Sequence, residues 1–196
     1  YTTLFRSRLI KEGKIKKAKP LPSITEDEIP YELPDGWEWV RLGDAALLER
    51  GKSKHRPRND ESLFVNGTYP FIQTGDVANC NAKRIIDCYS KCYNEKGLKQ
   101  SRLWPKGTLC ITIAANIAET GILGFDACFP DSVVGLVPFY PISDVNFFDF
   151  FFRAFKNDLI RLAPATAQKN INLNILNTII FPLPPLNEQK RIVERS

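Results

Sequence analysis

ATAQKNINLNILNTIIFPLPPLNEQKRIVER, running from Ala165 to Arg195, joins segments whose order decides how the chain closes. A loop of small and amide residues, Ala163 to Asn170, ends on Gln168, Lys169 and Asn170, side chains that reach outward for hydrogen-bond partners. Ile171, Leu173, Ile175, Leu176, Ile179, Ile180 and Phe181 follow as an apolar turn and a strand-like run that has to be buried. Pro182, Pro184 and Pro185 come next. A proline donates no ladder hydrogen bond and biases its predecessor away from helix, so Phe181 to Leu186 reads as an extended, stiff connector. Asn187 then suits a helix N-cap, Glu188 sits where the helix dipole favours a carboxylate, and Gln189 to Val193 open an amphipathic helix.

Composition sets the bounds around that stretch. The chain has 196 residues, 43% of them hydrophobic, enough to bury a core, and one domain is the natural count. A net charge of +5 permits nucleic-acid binding without demanding it, so the placement of the cations matters more than their sum. No apolar run approaches the roughly 18 residues of a membrane helix and no signal-peptide pattern is present, so a soluble, cytoplasmic protein is expected. Five cysteines in no framework spacing fit a reducing compartment. Cys80, Cys88 and Cys92 form no paired CxxC knuckles and His55 is the only histidine, so neither zinc nor any cofactor is expected.

Upstream, Tyr1 to Ser7 reads as a translated sequencing adapter or a disordered native tail and is set aside from fold reasoning, with both native termini expected to lie outside the sequence. Arg8 to Lys19 is basic and is followed by the acidic, proline-punctuated Pro20 to Pro30, a helix tail and linker whose cations form a solvated face or touch phosphates. Trp37 to Leu42 alternates as a first strand, its tryptophans assigned to the core, and Gly43-Asp44 introduces a short helix to Leu48. Arg50 to Arg58, RGKSKHRPR, lacks apolar periodicity and is expected as a mobile, exposed loop. Lys52, Lys54, Arg56 and Arg58 there have the reach to bind phosphates, although a basic loop can also be merely solvated. His55 has no second histidine and no carboxylate partner visible in the sequence, so it is given no catalytic role.

Tyr69 to Val77 reads as a strand entering a turn; Gln73 and Thr74 can read base edges there, or Thr74 and Asp76 can bond their own backbone. Ala82 to Tyr89 and Gly107 to Ala115 have strand character, and Lys91, Lys96, Lys99, Arg102 and Lys106 between them are spread widely enough to be solvated. Asn116 and Thr120 sit at a hairpin turn, either structural or base-reading. Ser132 to Tyr140 is a further strand whose Pro138 argues for an edge or a bulge. Phe148, Phe151, Phe155, Leu159 and Leu162 recur at helical spacing, predicting one Phe-rich amphipathic helix over Asn146 to Leu162, ended by Pro164.

Three motifs carry a family resemblance: Thr166-Ala167-Gln168-Lys169-Asn170-Ile171-Asn172 with Leu176, Pro182-Leu183-Pro184-Pro185-Leu186-Asn187-Glu188-Gln189-Lys190-Arg191-Ile192-Val193, and Leu33-Pro34-Asp35-Gly36-Trp37-Glu38-Trp39-Val40-Arg41-Leu42-Gly43-Asp44. Bracketing most of the chain, they resemble a target recognition domain of the specificity subunit of Type I restriction-modification enzymes. The resemblance implies an α+β fold: one domain over residues 33–186 with a twisted, mostly antiparallel sheet and a Phe-rich helix. It also implies the end of a preceding helix and a linker over 8–32, which would make this the second recognition domain of its parent, and a spacer helix starting over 187–196. By the same resemblance the partners are double-stranded DNA and the modification and restriction subunits, with no membrane. It places the basic loop after the first helix of the domain, which favours DNA contact by Lys52, Lys54, His55, Arg56 and Arg58. It places the Gln73–Asp76 turn beside the DNA face, and Gln168, Lys169 and Asn170 join Gln73, Thr74, Asn116 and Thr120 as candidate base readers.

An enzyme is the competing class. A nuclease needs clustered acids to hold a metal, and Glu188-Gln189-Lys190, though like the end of one nuclease signature, has no acidic partner at useful spacing. A methyltransferase needs a Gly-rich turn after a strand and an Asn or Asp followed by two prolines and an aromatic residue; neither is present. The chain is therefore expected to be non-catalytic, the alternative being a scaffold that docks modification subunits and has only generic DNA affinity.

Overall fold

The computed structural model describes residues 2–13, 20–114, 116–162 and 171–196. In chain order the elements are α1 (Thr2–Lys11), β1 (Glu38–Arg41), α2 (Leu42–Ala45), β2 (Ala46–Arg50), β3 (Tyr69–Phe71), α3 (Thr74–Ala78), β4 (Ile85–Ile86), β5 (Lys91–Tyr93), α4 (Glu95–Lys99), β6 (Leu109–Thr112), β7 (Thr120–Leu123), β8 (Val133–Pro138), α5 (Val145–Ala154), α6 (Lys156–Leu162), α7 (Leu173–Thr178), β9 (Ile180–Leu183) and α8 (Leu186–Glu194). The fold is mixed, with antiparallel pairing dominant. A central sheet has the order β2-β8-β6-β7-β4, and β1 with β9 and β3 with β5 form two-stranded sheets. Only the β4–β7 pairing is parallel among these.

β6 and β7 are buried at every position because the central sheet is covered on both faces. Alternation along β6 sends Leu109 and Ile111 to one side, where they join Phe148, Phe151 and Phe152 of α5, and Cys110 to the other, where it meets Trp104, Phe129 and Val133. Trp104 stacks on Phe129 at 4.9 Å. That stack dictates Gly135 opposite Cys110: a Cβ there would lie 2.6 Å from the Trp104 ring and 2.8 Å from Phe129. A smaller cluster of Leu63, Phe71, Tyr93 and Cys128, with Phe64 against it, supports the β3–β5 ribbon.

The chain closes where β9 returns to β1, pairing Phe181 with Val40. Phe181 is fully buried, stacked on Phe148 at 4.8 Å with Phe147 and Phe151 edge-on. Beyond it Gln189 is also fully buried; its Nε2 donates to the Ile142 and Pro184 carbonyls at 3.0 and 2.8 Å, and its Oε1 accepts the Asp144 N–H at 2.9 Å. The linker lies against the domain through Arg41, which is 6% exposed and donates to the carbonyls of Pro22, Ser23 and Thr178 and to both oxygens of Glu28. Hydrogen bonding from Arg41, then from Thr25, holds the Glu28 carboxyl down at about 2.

Several expectations are corrected. The Phe-rich helix is two, α5 and α6, broken at Phe155, whose ring folds back onto Phe151 at 4.6 Å. The helix after β1 stops at Ala45, not Leu48, because Ala46–Arg50 pair with β8. The strand expected over Ala82–Tyr89 contracts to Ile85–Ile86: the Asn81 side chain accepts the N–H groups of Lys83 and Ile85, and Arg84 takes a φ of 64°, making a turn. β8 is neither edge nor bulge; it lies between β2 and β6, and Pro138 is accommodated because β6 pairs only as far as Leu136. Pro182, expected in a connector, pairs within β9, whose only strand partner among the described residues is β1. α8 starts at Leu186 with Pro185, not Asn187, in the capping position, the Pro185 carbonyl accepting from Glu188 and Gln189. Trp37 and Trp39 are half-buried, and Trp104 is the tryptophan of the core. α1 extends through the residues set aside at the sequence level, and its Arg6 pairs with Asp44 at 2.6 Å.

Two outcomes follow. Gln189→Leu strands an N–H and two carbonyls and is expected to cost on the order of 3 kcal/mol, read as a lower urea midpoint at unchanged slope. Because the folded Glu28 carboxyl titrates below its ordinary value of 4.5, its contribution to holding the linker is complete above 4.5 and disappears as pH falls through about 2. A carboxyl NMR titration of Glu28 is expected to show that depressed midpoint, and Arg41→Met to raise it, the Thr25 hydrogen bonds still holding it below the ordinary value.

Candidate nucleic-acid interface

The cationic side chains Lys52, Lys54, Arg56 and Arg58 are exposed as expected, and the backbone of the Arg50–Arg58 segment is tethered by hydrogen bonds. Its backbone enters against the turn at 128–133, where Gly51 N–H donates to Val133 O at 2.9 Å and Lys52 N–H to Phe129 O at 3.0 Å. Only glycine fits at position 51, since a Cβ would stand 2.2 Å from Phe129 O. Gln100 then spans the next turn of the loop: its Oε1 accepts the N–H of Lys54 at 2.6 Å and of His55 at 3.0 Å, while Ser101 Oγ donates to Lys52 O at 2.7 Å. Arg56 curls back to donate to the Ser53 and His55 carbonyls.

His55 does have a carboxylate partner, contrary to the sequence reading. Its Nε2 lies 2.6 Å from Asp60 Oδ2. Hydrogen bonds from the Ser62 hydroxyl and N–H, and then from His55, hold Asp60 down at about 2, so it is an anion at neutral pH. Arg58 is likewise paired, Nη2 donating to both oxygens of Asp131 at 2.7 and 3.0 Å. Lys52 and Lys54 are exposed and have no acidic partner among the described residues.

The turn at 128–133 gathers the other candidates. Cys128 O accepts from Ile72, and Cys128 N–H donates to Pro70, which sets β3 and hence Gln73 and Thr74. The Asp76 carboxylate accepts the Gln73 N–H at 2.7 Å, so Asp76 serves its own turn. Ser132 O accepts from Ile113 N–H, and Ile113 O accepts from Ile171 N–H. Between these segments lies a cavity of ≈ 170 Å³ whose lining includes Ser53, Arg58, Gln73, Thr74, Lys91 and Ser132. The structure thus brings Arg58 together with Gln73 and Thr74. Asn116 is exposed on the turn between β6 and β7 and does not line that cavity. Gln168, Lys169 and Asn170 lie outside the described residues.

Thr120 is corrected. It is 1% exposed, its hydroxyl donates to Asp149 Oδ1 at 2.6 Å and accepts from Arg84, and Asp149 also pairs with Arg153 at 3.0 Å. Its one hydroxyl proton is committed to Asp149 and the side chain is buried, which favours the structural of its two readings. Sequence reasoning missed Gln100, Asp131 and Asp60, whose partners are visible only in three dimensions; for Asp60 the nearness to His55 in sequence was a usable signal. Among the described residues no group of three or more His, Cys, Asp or Glu could hold a metal, and no helix is long and apolar enough to cross a membrane.

Residues 34–195 match the family described as Methylase_S, the Type I restriction modification DNA specificity domain. Over 38 residues, 19% of this chain and 6% of the relative, the sequence is 66% identical to the Type I restriction enzyme EcoAI specificity subunit of Escherichia coli. Over 166 residues, 84% of this chain and 36% of the relative, it is 26% identical to the putative type I restriction enzyme MjaX specificity subunit of Methanocaldococcus jannaschii. The fold is similar to the crystal structure of the HsdS subunit from Thermoanaerobacter tengcongensis, with a TM-score of 0.66 at 20% identity over 98% of this chain and 41% of that one. The chain therefore spans less than half the length of each of these relatives.

The tether generates its own test. Gln100→Met keeps the bulk of the side chain but removes the acceptor shared by Lys54 and His55, each bond contributing about 1 kcal/mol. The expected outcome is faster hydrogen exchange at those two amides, roughly fivefold, with the amides of β6 and β8 unchanged.

Proposed function

The chain belongs to the Type I restriction modification DNA specificity domain family, and we propose that it reads one half of a two-part double-stranded DNA site within a larger restriction and modification assembly. The observation that carries this reading is the convergence of an exposed cationic loop and neutral hydrogen-bonding side chains on one face: Arg58, Gln73 and Thr74 border the same cavity, with Lys52 and Lys54 on the same loop as Arg58. Cations of that kind bind phosphates and fix the register of a duplex, while amides and hydroxyls discriminate base edges.

In this reading Lys52, Lys54, Arg56 and Arg58 contact phosphates, with His55 shaping the loop through Asp60. Gln73, Thr74, Asn116, Gln168, Lys169 and Asn170 are the base-reading set, and Thr120 drops out of it. The chain itself is non-catalytic; cleavage and methylation belong to the restriction and modification subunits with which it would assemble in the cytoplasm. The helix α8, locked by Gln189 and by Trp37 Nε1 donating to Glu188 at 3.0 Å, leaves Lys190, Arg191 and Glu194 exposed and is the element that would continue toward those partners.

Selection from randomised duplexes, with the chain spliced into the matching region of a full-length relative, tests the reading. A short enriched motif is expected; salt-sensitive binding without a motif would reduce the face to a generic basic surface, and no binding would leave only a scaffold. Within that system Gln168→Ala is expected to relax preference at one base position, a loss of about 1–3 kcal/mol of discrimination. Lys54→Ala is expected to weaken all sequences alike and to flatten the log–log salt slope by about 0.9. Equal, uniform losses from both would refute the division of labour.

A further inference from the structure

We propose that the ≈ 170 Å³ cavity is a seat for one backbone phosphate of the bound duplex, with Lys91 as its second cation beside Arg58; this rests on the recognition reading above. Lys91 belongs to β5 and Arg58 to the basic loop, yet both border one small volume. Lys91 has no acidic partner among the described residues, and Arg58 shares its charge with the half-exposed Asp131, so an anion that displaces that carboxylate meets both cations.

The remaining walls supply neutral donors. Ser53, only 5% exposed, lines the cavity and brings a hydroxyl to it. Thr74 and Ser132 add two more hydroxyls, and Gln73 an amide. At about 30 Å³ per water the cavity holds roughly five or six waters, room for a phosphate with part of its hydration.

Both cations are held before DNA arrives. Lys91 Nζ sits 5.2 Å from the centroid of the Phe64 ring, and Phe64 is itself packed 5.0 Å from Tyr93, so the lysine is poised by an aromatic shelf. Arg58 is held by Asp131, a carboxylate that borders Arg58 without lining the cavity itself. That pair is nearly half exposed on both sides and is readily exchanged for a doubly bonded phosphate.

The test uses the spliced full-length protein, with anisotropy of labelled duplex read against salt and motif selection run in parallel. Lys91→Met, which keeps the hydrocarbon stem on Phe64, is expected to flatten the salt slope by about 0.9 while leaving the selected motif unchanged. Asp131→Asn is expected to tighten binding severalfold, an effect that Arg58→Ala abolishes. Replacing duplex phosphates one at a time by neutral methylphosphonates is expected to reveal one position that weakens the parent protein and leaves the Lys91→Met variant unaffected. An unchanged slope, a shifted motif, or a methylphosphonate profile identical in both proteins overturns the phosphate seat. A parent protein that selects no motif overturns the recognition reading instead, so the two failures are separable.

Discussion

The fold depends on Phe181. Its ring is the point at which a strand from the end of the chain, paired to a strand from near the beginning, meets α5. Closing so long a loop costs entropy that grows slowly with length, and the return has to come from burial at the junction. A fully buried phenylalanine contributes about 1.5–3 kcal/mol, and each well-placed aromatic pair about 0.5–1.5 more. With one stacked and two edge-on partners, Phe181 gathers enough to hold the junction. Arg41 on the neighbouring strand then clamps the linker, and α7, packed on α2 and β2, brings Ile171 against Ile113.

This explains which parts could be read in advance. The apolar run ending at Phe181 and the phenylalanine spacing of α5 are local patterns with a single buried solution, and both pointed to the elements that meet. Element boundaries obeyed longer-range demands. Ala46 leaves its helix because β8 needs a partner, and Pro138 enters an interior strand because β6 has already ended beside it. Gly135 looked like an ordinary strand residue until Trp104 and Phe129 were seen stacked across it. At the candidate site the cations were legible because a dense basic run with no apolar period has to be exposed. Their acidic and amide partners were not, since Asp131 and Gln100 come from distant segments. Thr120 was misjudged because a hydroxyl near a turn is ambiguous until its burial is known.

The partners change the electrostatic account of the basic loop. A free loop would have to be ordered by whatever it binds, at about 0.5–1.5 kcal/mol for each side chain immobilised. Here Gln100, Ser101 and the 128–133 turn hold the backbone, so in the proposed role binding would have to order only the tips of Lys52 and Lys54. Arg58 and His55 face acids, which lowers the net charge of the loop below its count of basic residues. A face of this kind has moderate attraction for any polyanion and leaves room for neutral groups to discriminate.

The segment Cys128–Val133 ties these features together. It accepts the backbone of the basic loop at Phe129 and Val133, sets β3 through Cys128, receives Ile113 at Ser132, and presents Asp131 to Arg58. Every one of the main-chain links is made by backbone atoms, whose geometry does not depend on which side chains the attached loops carry. The segment is in turn pinned from beneath by Phe129 in its stack with Trp104. Side chains at 52, 54, 73, 74 and 116 can therefore be exchanged without disturbing the frame, whereas Phe129, Trp104 and Gly135 are constrained by one another. In the proposed recognition role that separation would let the buried stack fix where the loops stand while the outer positions vary in what they present.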